Sequence, residues 1–438
     1  METGNNVFLR ARNAWMAGAS HRQTRKMLKQ FTYGRQWEAL LSAPGCGASL
    51  SVYEELCLRN KRRPLTNNLI RALIKSVVGR FRLNLAEEER PAKGSPAARV
   101  RERNLLDELD SRALEEFLIS GCAIQRVVME RRFEGLDVWV DNVNPTRFFC
   151  NRFLDPRGSD LRMVGMLHEM SLPELCTRFG HGSRRRQREL AAVFESGTRL
   201  ASCLPEADLA VSDDDTAFLT PADRSLCRVV EVWTFEIDPK GLPVWMCRFF
   251  GPEGQLLDQT PSPYPHRSHP FAVSFYPLTD GEVHPFIEDV IDQQRHINLL
   301  IATIDRILSH SAKGVLLLPQ DSVPRETSLA DVADAWSRPG GVIVIDRKAS
   351  RLPQEISSTG GTDGASQLLD LEMKLFQQIS GVTEALQGQA PQGHTSASLY
   401  DSQVQNSAIA LLDVFETFNT FRSRRDSKVE ALLSINTH

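Results

Sequence analysis

The residues whose types suit metal binding are few and poorly spaced for it. His266 and His269 are three residues apart, but Pro270 follows them and no third ligand is nearby. This spacing predicts turn or surface histidines rather than a zinc site. The acidic run at 213–215 lacks the Gly and Glu of a calcium loop, so it also predicts no metal site. We therefore expect no metal and no other cofactor.

The sequence also lacks the motifs of the common enzyme classes. It contains no GxxxxGK[ST] phosphate loop, no GxGxxG after a strand, and no HExxH or GxSxG segment. Asp289 and Asp292 lie on one predicted helix, but that helix is so charged that a solvated or interface face is favoured over a catalytic pair. The sequence predicts a protein that is not an enzyme, and an enzyme acting on nucleic acid is the catalytic alternative.

One polar tract has side chains that suit contact with a phosphate-rich partner without tight binding. Residues 381–400 are rich in amide and hydroxyl groups and contain no Lys or Arg. Gly388, Pro391 and Gly393 interrupt the helical pattern there. Two interpretations are open, a flexible loop between helices and a mobile element that faces something polar.

The elements around this tract form a predicted helical hairpin. Residues 285–312, 364–379 and 397–433 have apolar side chains at helical spacing. The runs at 315–319 and 341–345 are short, apolar and bounded by Pro or Gly, which favours strands. A narrow helical pair with a small β insert cannot bury both of its faces. We therefore expect neighbouring subunits to supply the missing packing.

The rest of the chain predicts helices first and β-structure in the middle, an α+β fold class. Helices are expected at 7–42, 64–83 and about 98–119, and a short helix capped by Ser171 begins at residue 172. Strands are expected at 122–132, 136–143, 163–170, 229–237 and 243–250. The biased polar stretch 183–223 is interpreted as a surface loop or a partly disordered insertion.

Length and composition set further limits. A chain of 438 residues is expected to form two or three subdomains, and no run approaches the roughly 20 apolar residues of a membrane helix. Residues 1–6 lack an apolar signal core, which predicts no export. Eight scattered cysteines predict reduced thiols in a cytosolic setting.

Charge is unevenly placed along the chain. The formal net charge is −3, so the protein as a whole is not expected to attract nucleic acid strongly. Residues 1–40 nevertheless carry seven basic against two acidic side chains, whereas residues 364–421 carry one against six. The basic segment is either a solvated helix face or a docking surface for an acidic partner or DNA.

The order of these features resembles the portal proteins of tailed bacteriophages over nearly the whole chain. The segments that carry the resemblance are short and ordered along the sequence: YGRQW at 33–37, PLTNN at 64–68, SGC at 120–122, VNP at 143–145, HPF at 269–271, DQQRHIN at 292–298, SGV at 380–382, Gly388 and TSA at 395–397. The chain ends soon after its last predicted helix. An extended C-terminal crown is therefore expected to be short or absent.

The resemblance implies a homo-oligomeric ring of about twelve subunits at one capsid vertex, through which double-stranded DNA passes. Its implied partners are a terminase motor, head-completion and tail adaptor proteins, and the major capsid and scaffold proteins, with no membrane. The protein would reside in the virion after assembly in the host cytoplasm. The implied regions are a wing at 1–280, a first stem helix at 281–312, a clip at 313–350, a second stem helix at 351–384, a tunnel loop at 385–398 and a long wing helix at 399–438.

The resemblance also gives the polar residues a role. Duplex DNA carries one phosphate per roughly 1.7 Å of axis, so a basic bore would hold it and slow its passage. The tunnel-loop residues expected to approach DNA are Gln387, Gln389, Gln392, His394 and Ser396. Glu288 and Asp292 are expected to make the stem face of the channel negative. The alternative is a non-portal scaffold or adaptor protein of a virion.

Overall fold

The computed structural model describes residues 4–37, 65–132, 135–202, 218–221, 223, 225–311, 315–317, 319, 328, 331–332, 335, 354–356, 363–382 and 409–434. The chain divides into two compact units. Unit 1 comprises Met1–Ala43, Ile70–Asp289 and Gly381–His438, and unit 2 comprises Pro44–Leu69 and Val290–Ser380. Both helices and strands are present, which agrees with the expected α+β class.

The described elements are numbered here in chain order. The helices are α1 Gly4–Ala17, α2 Ala19–Thr32, α3 Leu69–Glu87, α4 Pro96–Arg103, α5 Leu106–Ser120, α6 Leu172–Phe179, α7 Arg184–Ser202, α8 Ile291–Ser311, α9 Asp363–Ser380 and α10 Leu412–Leu433. The strands are β1 Cys122–Arg132, β2 Gly135–Asn142, β3 Phe148–Cys150, β4 Met163–Met170, β5 Cys227–Ile237, β6 Pro243–Phe250, β7 Leu256–Pro261, β8 Phe271–Phe275, β9 Leu278–Thr279, β10 Glu282–Val283, β11 Val315–Leu317 and β12 Gln354–Ile356. Short 3-10 turns occur at Pro145–Arg147 and Glu288–Val290.

Unit 1 is built on a five-stranded antiparallel sheet in the order β3-β4-β5-β6-β7. Because side chains alternate across a strand, β5 sends Val230 and Val232 to one face and Val229 and Trp233 to the other. The first face is covered by α1 through residues such as Trp15. The second is covered by α6 and α7. Apolar side chains on both faces make this sheet the core of the unit.

A second sheet of unit 1 has the order β2-β1-β8 and packs against α10. The pairs Gln125↔Asn142 and Cys122↔Phe275 fix its antiparallel registers. Gly121, between α5 and β1, has φ +67, and a Cβ there would lie 2.7 Å from the carbonyl oxygen of Tyr276. This close approach requires glycine, because the left-handed backbone and the lack of space both exclude a side chain.

Unit 2 contains the two packed helices α8 and α9 and the antiparallel pair β11–β12. Ile297, Leu300 and Phe376 are buried in it. The helix pair and the small β element are the parts of the predicted hairpin that the structure describes.

Several local predictions are confirmed. The predicted hairpin around Gly135 is formed by β1 and β2, and the strands at 163–170, 229–237 and 243–250 appear as β4, β5 and β6. Ser171 caps α6 in a capping box with Glu174. The predicted helix at 364–379 is α9.

Two predicted helices are each divided. The expected helix at 7–42 is α1 and α2, separated at Gly18, and residues 38–42 lie outside the described part. The expected helix at 98–119 is α4 and α5. Asn104 lies between α4 and α5, donates to the carbonyl of Val138 at 3.0 Å and accepts from the N–H of Val140 at 2.9 Å. This pairing with the edge of β2 ends the first helix, and Leu105 then takes φ 49.

The interpretation of 183–223 as a loop is wrong for its first part. Residues 184–202 form α7, whose Leu190 is buried in the second face of the five-stranded sheet. A packed apolar stripe therefore outweighs the biased composition. Residues 203–217, with the acidic run, lie outside the described residues.

The predicted hairpin also differs in its bounds. The first helix begins at Ile291 rather than near 281 or 285, because β10 and the 3-10 turn occupy 282–283 and 288–290. β11 pairs with β12 at 354–356, inside the region expected to be the second stem helix. The second predicted strand, 341–345, and the start of the last helix, 397–408, lie outside the described residues.

Candidate functional site

The predicted channel residues fall into two groups. The tunnel-loop residues Gln387, Gln389, Gln392, His394 and Ser396 lie outside the residues that the structure describes. The acidic pair is described. Glu288 is exposed in the 3-10 turn of unit 1, and Asp292 is exposed in the first turn of α8 in unit 2. The loop therefore stays a prediction from the sequence.

The two acidic side chains have different surroundings. Partial burial raises the pKa of the Glu288 carboxyl, and the nearby charge of Asp289 acts in the same direction while His284 opposes it. The Asp292 side chain is 86% exposed and pairs with Arg295 at 3.2 Å on its own helix. The helix dipole favours a carboxylate in a first helical turn. An acidic residue at position 292 therefore also stabilises α8 itself.

Two buried amides on α8 fix an extended segment of unit 2. Gln294 and Asn298 are four residues apart, hence on one face of the helix, and both are buried. Gln294 donates to the carbonyl of Asn67 at 2.6 Å and accepts from the N–H of Leu69 at 3.0 Å. Asn298 accepts from the N–H of Asn67 at 3.1 Å. Two of the segments behind the resemblance, PLTNN and DQQRHIN, thus meet in hydrogen bonds.

One side of α9 is apolar and is only partly covered within the described part of the chain. Leu368, Leu371, Leu375 and Ile379 follow each other at helical spacing, and Leu371 and Ile379 are 51% and 44% exposed. They are called the apolar stripe. The adjacent side of the helix contacts α8, where Glu372 accepts a hydrogen bond from His296 at 2.9 Å. The helix pair therefore leaves a second face unburied, as its narrow shape predicts.

The basic N-terminal segment is less exposed than its sequence indicates. Arg25 is buried and pairs with Glu116 of α5 at 2.6 Å. Arg22 is also buried, and its guanidinium lies 3.7 Å from the centre of the Trp15 ring. These two arginines join α2 to its neighbours, so the surplus charge of residues 1–40 overstates the basic surface that a partner would meet.

A buried ionic network, which sequence reasoning missed, holds α10 against α5. Asp110 contacts Arg425 at 2.5 Å and Arg422 at 3.0 Å, and Gln125 donates to it at 3.1 Å. Arg422 also donates to Glu88, the residue that follows α3, at 2.7 Å. Burial opposes the charge of Arg422, but its hydrogen bonds to Glu88 and the charge of Asp110 raise its pKa. More than 300 residues separate Asp110 from its arginines, so no local spacing signalled the contact.

Neither a metal site nor a membrane-spanning helix is found among the described residues. His266 and His269 accept hydrogen bonds from the N–H groups of Ser268 and Phe271 through Nδ1, at 3.1 Å and 3.2 Å. Over the part of the chain that the structure covers, no group of three or more His, Cys, Asp or Glu side chains is placed to hold a metal ion. Among the described helices, none combines the length and apolar character needed to cross a bilayer.

Comparison with known proteins decides the family. A model of the phage P22-like portal protein family matches residues 97–433, more than three quarters of the chain. The chain belongs to this portal family. None of the curated proteins compared with the chain matches it significantly.

Family membership confirms the resemblance inferred from the ordered segments, and it makes the chain a phage portal protein by descent. The match includes the acidic pair, the α8 amides, the apolar stripe and both arginines of the buried network. It begins after the basic N-terminal segment and after the segment at 64–68. The family match therefore does not bear on those two segments, and their interpretation depends on the sequence and the structure alone.

Proposed function

We propose that copies of this chain close into a ring of about twelve subunits that forms the DNA channel at one capsid vertex. The match of residues 97–433 to the P22-like portal family is the single observation that carries this proposal. The genome would be packaged, retained and ejected through the ring. The wing, stem, clip and tunnel-loop regions expected from the sequence belong to this proposal.

We further propose a structural rather than catalytic role. The sequence has no nucleotide-binding motif, so the energy for packaging would come from a partner, the terminase motor. Head-completion and tail adaptor proteins would dock on the same ring, and the major capsid and scaffold proteins would surround it. The protein would be part of the virion and would assemble in the host cytoplasm.

The apolar stripe supports assembly from copies of the chain. Burying one Leu or Ile side chain contributes about 1.5–3 kcal/mol, and the stripe offers four such residues on one helix face. A ring repeats each interface around its axis, so a small gain per side chain is multiplied. We therefore assign the stripe to contact between subunits.

Substitution of one stripe residue tests this assignment. Leu371→Asp places a charge in the proposed interface and should shift the protein from rings to smaller species in sedimentation velocity. Leu136→Asp is the matched control, because Leu136 is 61% exposed at the start of β2, far from the stripe in sequence. Rings of unchanged stability in the Leu371→Asp variant would remove the stripe from the interface.

The channel lining is proposed from residue chemistry. Amide and hydroxyl groups of Gln387, Gln389, Gln392, His394 and Ser396 would touch phosphates briefly. The carboxylates of Glu288 and Asp292 would repel phosphates from the stem.

Introducing positive charge at the lining tests the proposal. Replacing Gln389 and Gln392 with Lys should slow or stall packaging, because each lysine adds a phosphate contact at every subunit. Gln23→Lys, at an exposed position on α2, adds one such charge elsewhere and should leave the rate unchanged. Normal packaging and DNA retention in the double Lys variant would refute the lining assignment.

A further inference from the structure

The junction of α6 and α7 concentrates arginine in a chain whose net charge is −3. Arg178 near the end of α6 and Arg184, Arg185 and Arg188 at the start of α7 are all exposed. These four residues are called the arginine patch. Between residues 178 and 189 the sequence has five arginines and one acidic residue, Glu189. The portal function proposed above assigns no role to this surface.

Helix electrostatics disfavours this arrangement. The first turn of α7 contains three arginines and no acidic residue, whereas a positive charge at an exposed helix start costs about 0.3–1 kcal/mol. Arg184 and Arg188 are four residues apart, and like charges at that spacing repel each other. Glu189 pairs with Arg185 at 3.3 Å and with Arg186 at 3.0 Å. Within the described residues, no ion pair compensates Arg184 or Arg188.

The patch rests on a firmly held platform. Leu190 anchors α7 in the core, and the Arg186 guanidinium donates to the carbonyl of Leu257. The Arg178 guanidinium lies 4.7 Å from the centre of the Phe249 ring. Stacking of this kind fixes the plane of the guanidinium while its N–H edge stays available to a ligand. The Arg178 side chain is therefore positioned without using its charge.

The chemistry of the patch favours phosphate over an acidic protein surface. Protein interfaces have an apolar or aromatic centre, but α6, α7 and the turn between them expose no large apolar side chain. Every basic residue in the patch is arginine, whose planar donors match phosphate oxygens. Arg184 and Arg188 are separated by about 6 Å along the helix axis, short enough to contact neighbouring phosphates of one duplex.

We infer that the arginine patch binds the phosphate backbone of duplex DNA, at a site distinct from the predicted channel residues. The inference rests on the proposed function at one point only. Because duplex DNA passes through the proposed channel, the proposed function identifies duplex DNA as the polyanion that the patch binds. Binding of this kind reads no base sequence and weakens steeply with salt.

Fluorescence anisotropy of the purified full chain with a short labelled duplex, titrated with NaCl, tests the inference. Arg184→Gln with Arg188→Gln should reduce the salt slope, log K against log salt, by about 1.8 and weaken binding at low salt roughly tenfold. Arg199→Gln is the matched control, because Arg199 is exposed on the same helix but lies near its other end. Removing two charges from the helix start should also leave the thermal midpoint unchanged or raised.

Three results would overturn the inference. The first is an unchanged salt slope in the double Gln variant. The second is an equal loss of binding in Arg199→Gln. The third is stronger binding of poly-glutamate than of the duplex, which would assign the patch to an acidic protein. Ring formation, scored separately on the same samples by electron microscopy, tests the proposed function independently of all three.

Discussion

Replacing Asp110 with Ala should destabilise the protein more than almost any other single change at a polar residue. The carboxylate is 2% exposed and accepts hydrogen bonds from Arg422, Arg425 and Gln125. Its removal leaves the charge of Arg425, also 2% exposed, with Asp426 as its remaining described ion-pair partner. Removing one partner of a buried ion pair in this way costs about 3–5 kcal/mol.

Chemical denaturation of the purified protein measures this cost, with Asp107→Ala as the matched control. Asp107 lies on the same helix, but its side chain is 47% exposed, and among the described residues it pairs with Arg101 at 2.7 Å. The control should lose at most about 1 kcal/mol. Adding Arg425→Met to Asp110→Ala should recover part of the lost free energy, because the buried charge that has lost its buried partner is then removed. An Asp110→Ala variant no less stable than the control would refute the assignment of α10 anchoring to this network.

Two further predictions concern unit 1. In the same denaturation assay, Gly121→Ala should lower the free energy of unfolding by at least about 2 kcal/mol more than Gly94→Ala does. Both glycines have positive φ, but only a Cβ at position 121 would lie against the Tyr276 carbonyl. Equal losses in the two variants would contradict this. The denaturation midpoint should also fall as the pH drops from 7.5 towards 5. Burial lowers the pKa of four histidines below the ordinary value of 6.5, and it lowers the pKa of His266 to about 4. Protonation of these histidines therefore favours the unfolded chain. The histidines are His21, His168, His266 and His269. A midpoint that is constant or rises over this range would contradict the burial of neutral imidazoles.

The strands of unit 1 were predictable because their side chains alternate. In β5, Val229 and Trp233 face one apolar layer, and Val230 and Val232 face the other. Burial on both faces gives the short apolar run that indicates a strand in the sequence. The helix α7 was not predictable in this way. Its arginine-rich start masks an apolar stripe that begins at Leu190, and the packing of that stripe depends on a sheet formed by distant residues.

Contacts between distant segments account for the rest of what the sequence does not reveal. Asn104 ends a helix because a strand edge offers it partners, and Asp110 finds two arginines more than 300 residues away. The α8 amides illustrate the same limit, since the segments around Asn67 and Gln294 were both recognised but their hydrogen bonding was not. Of the candidate site, the acidic pair lies at exposed positions, and its role on the channel face, like that of the tunnel-loop residues, stays a prediction from the sequence.

Electron microscopy of the purified full chain tests the central proposal most directly. The wild-type protein should form annular particles with a central hole, and the Leu371→Asp variant should form few or none. A compact single copy that forms no annular particles at any protein concentration would contradict the proposed ring and the channel that depends on it.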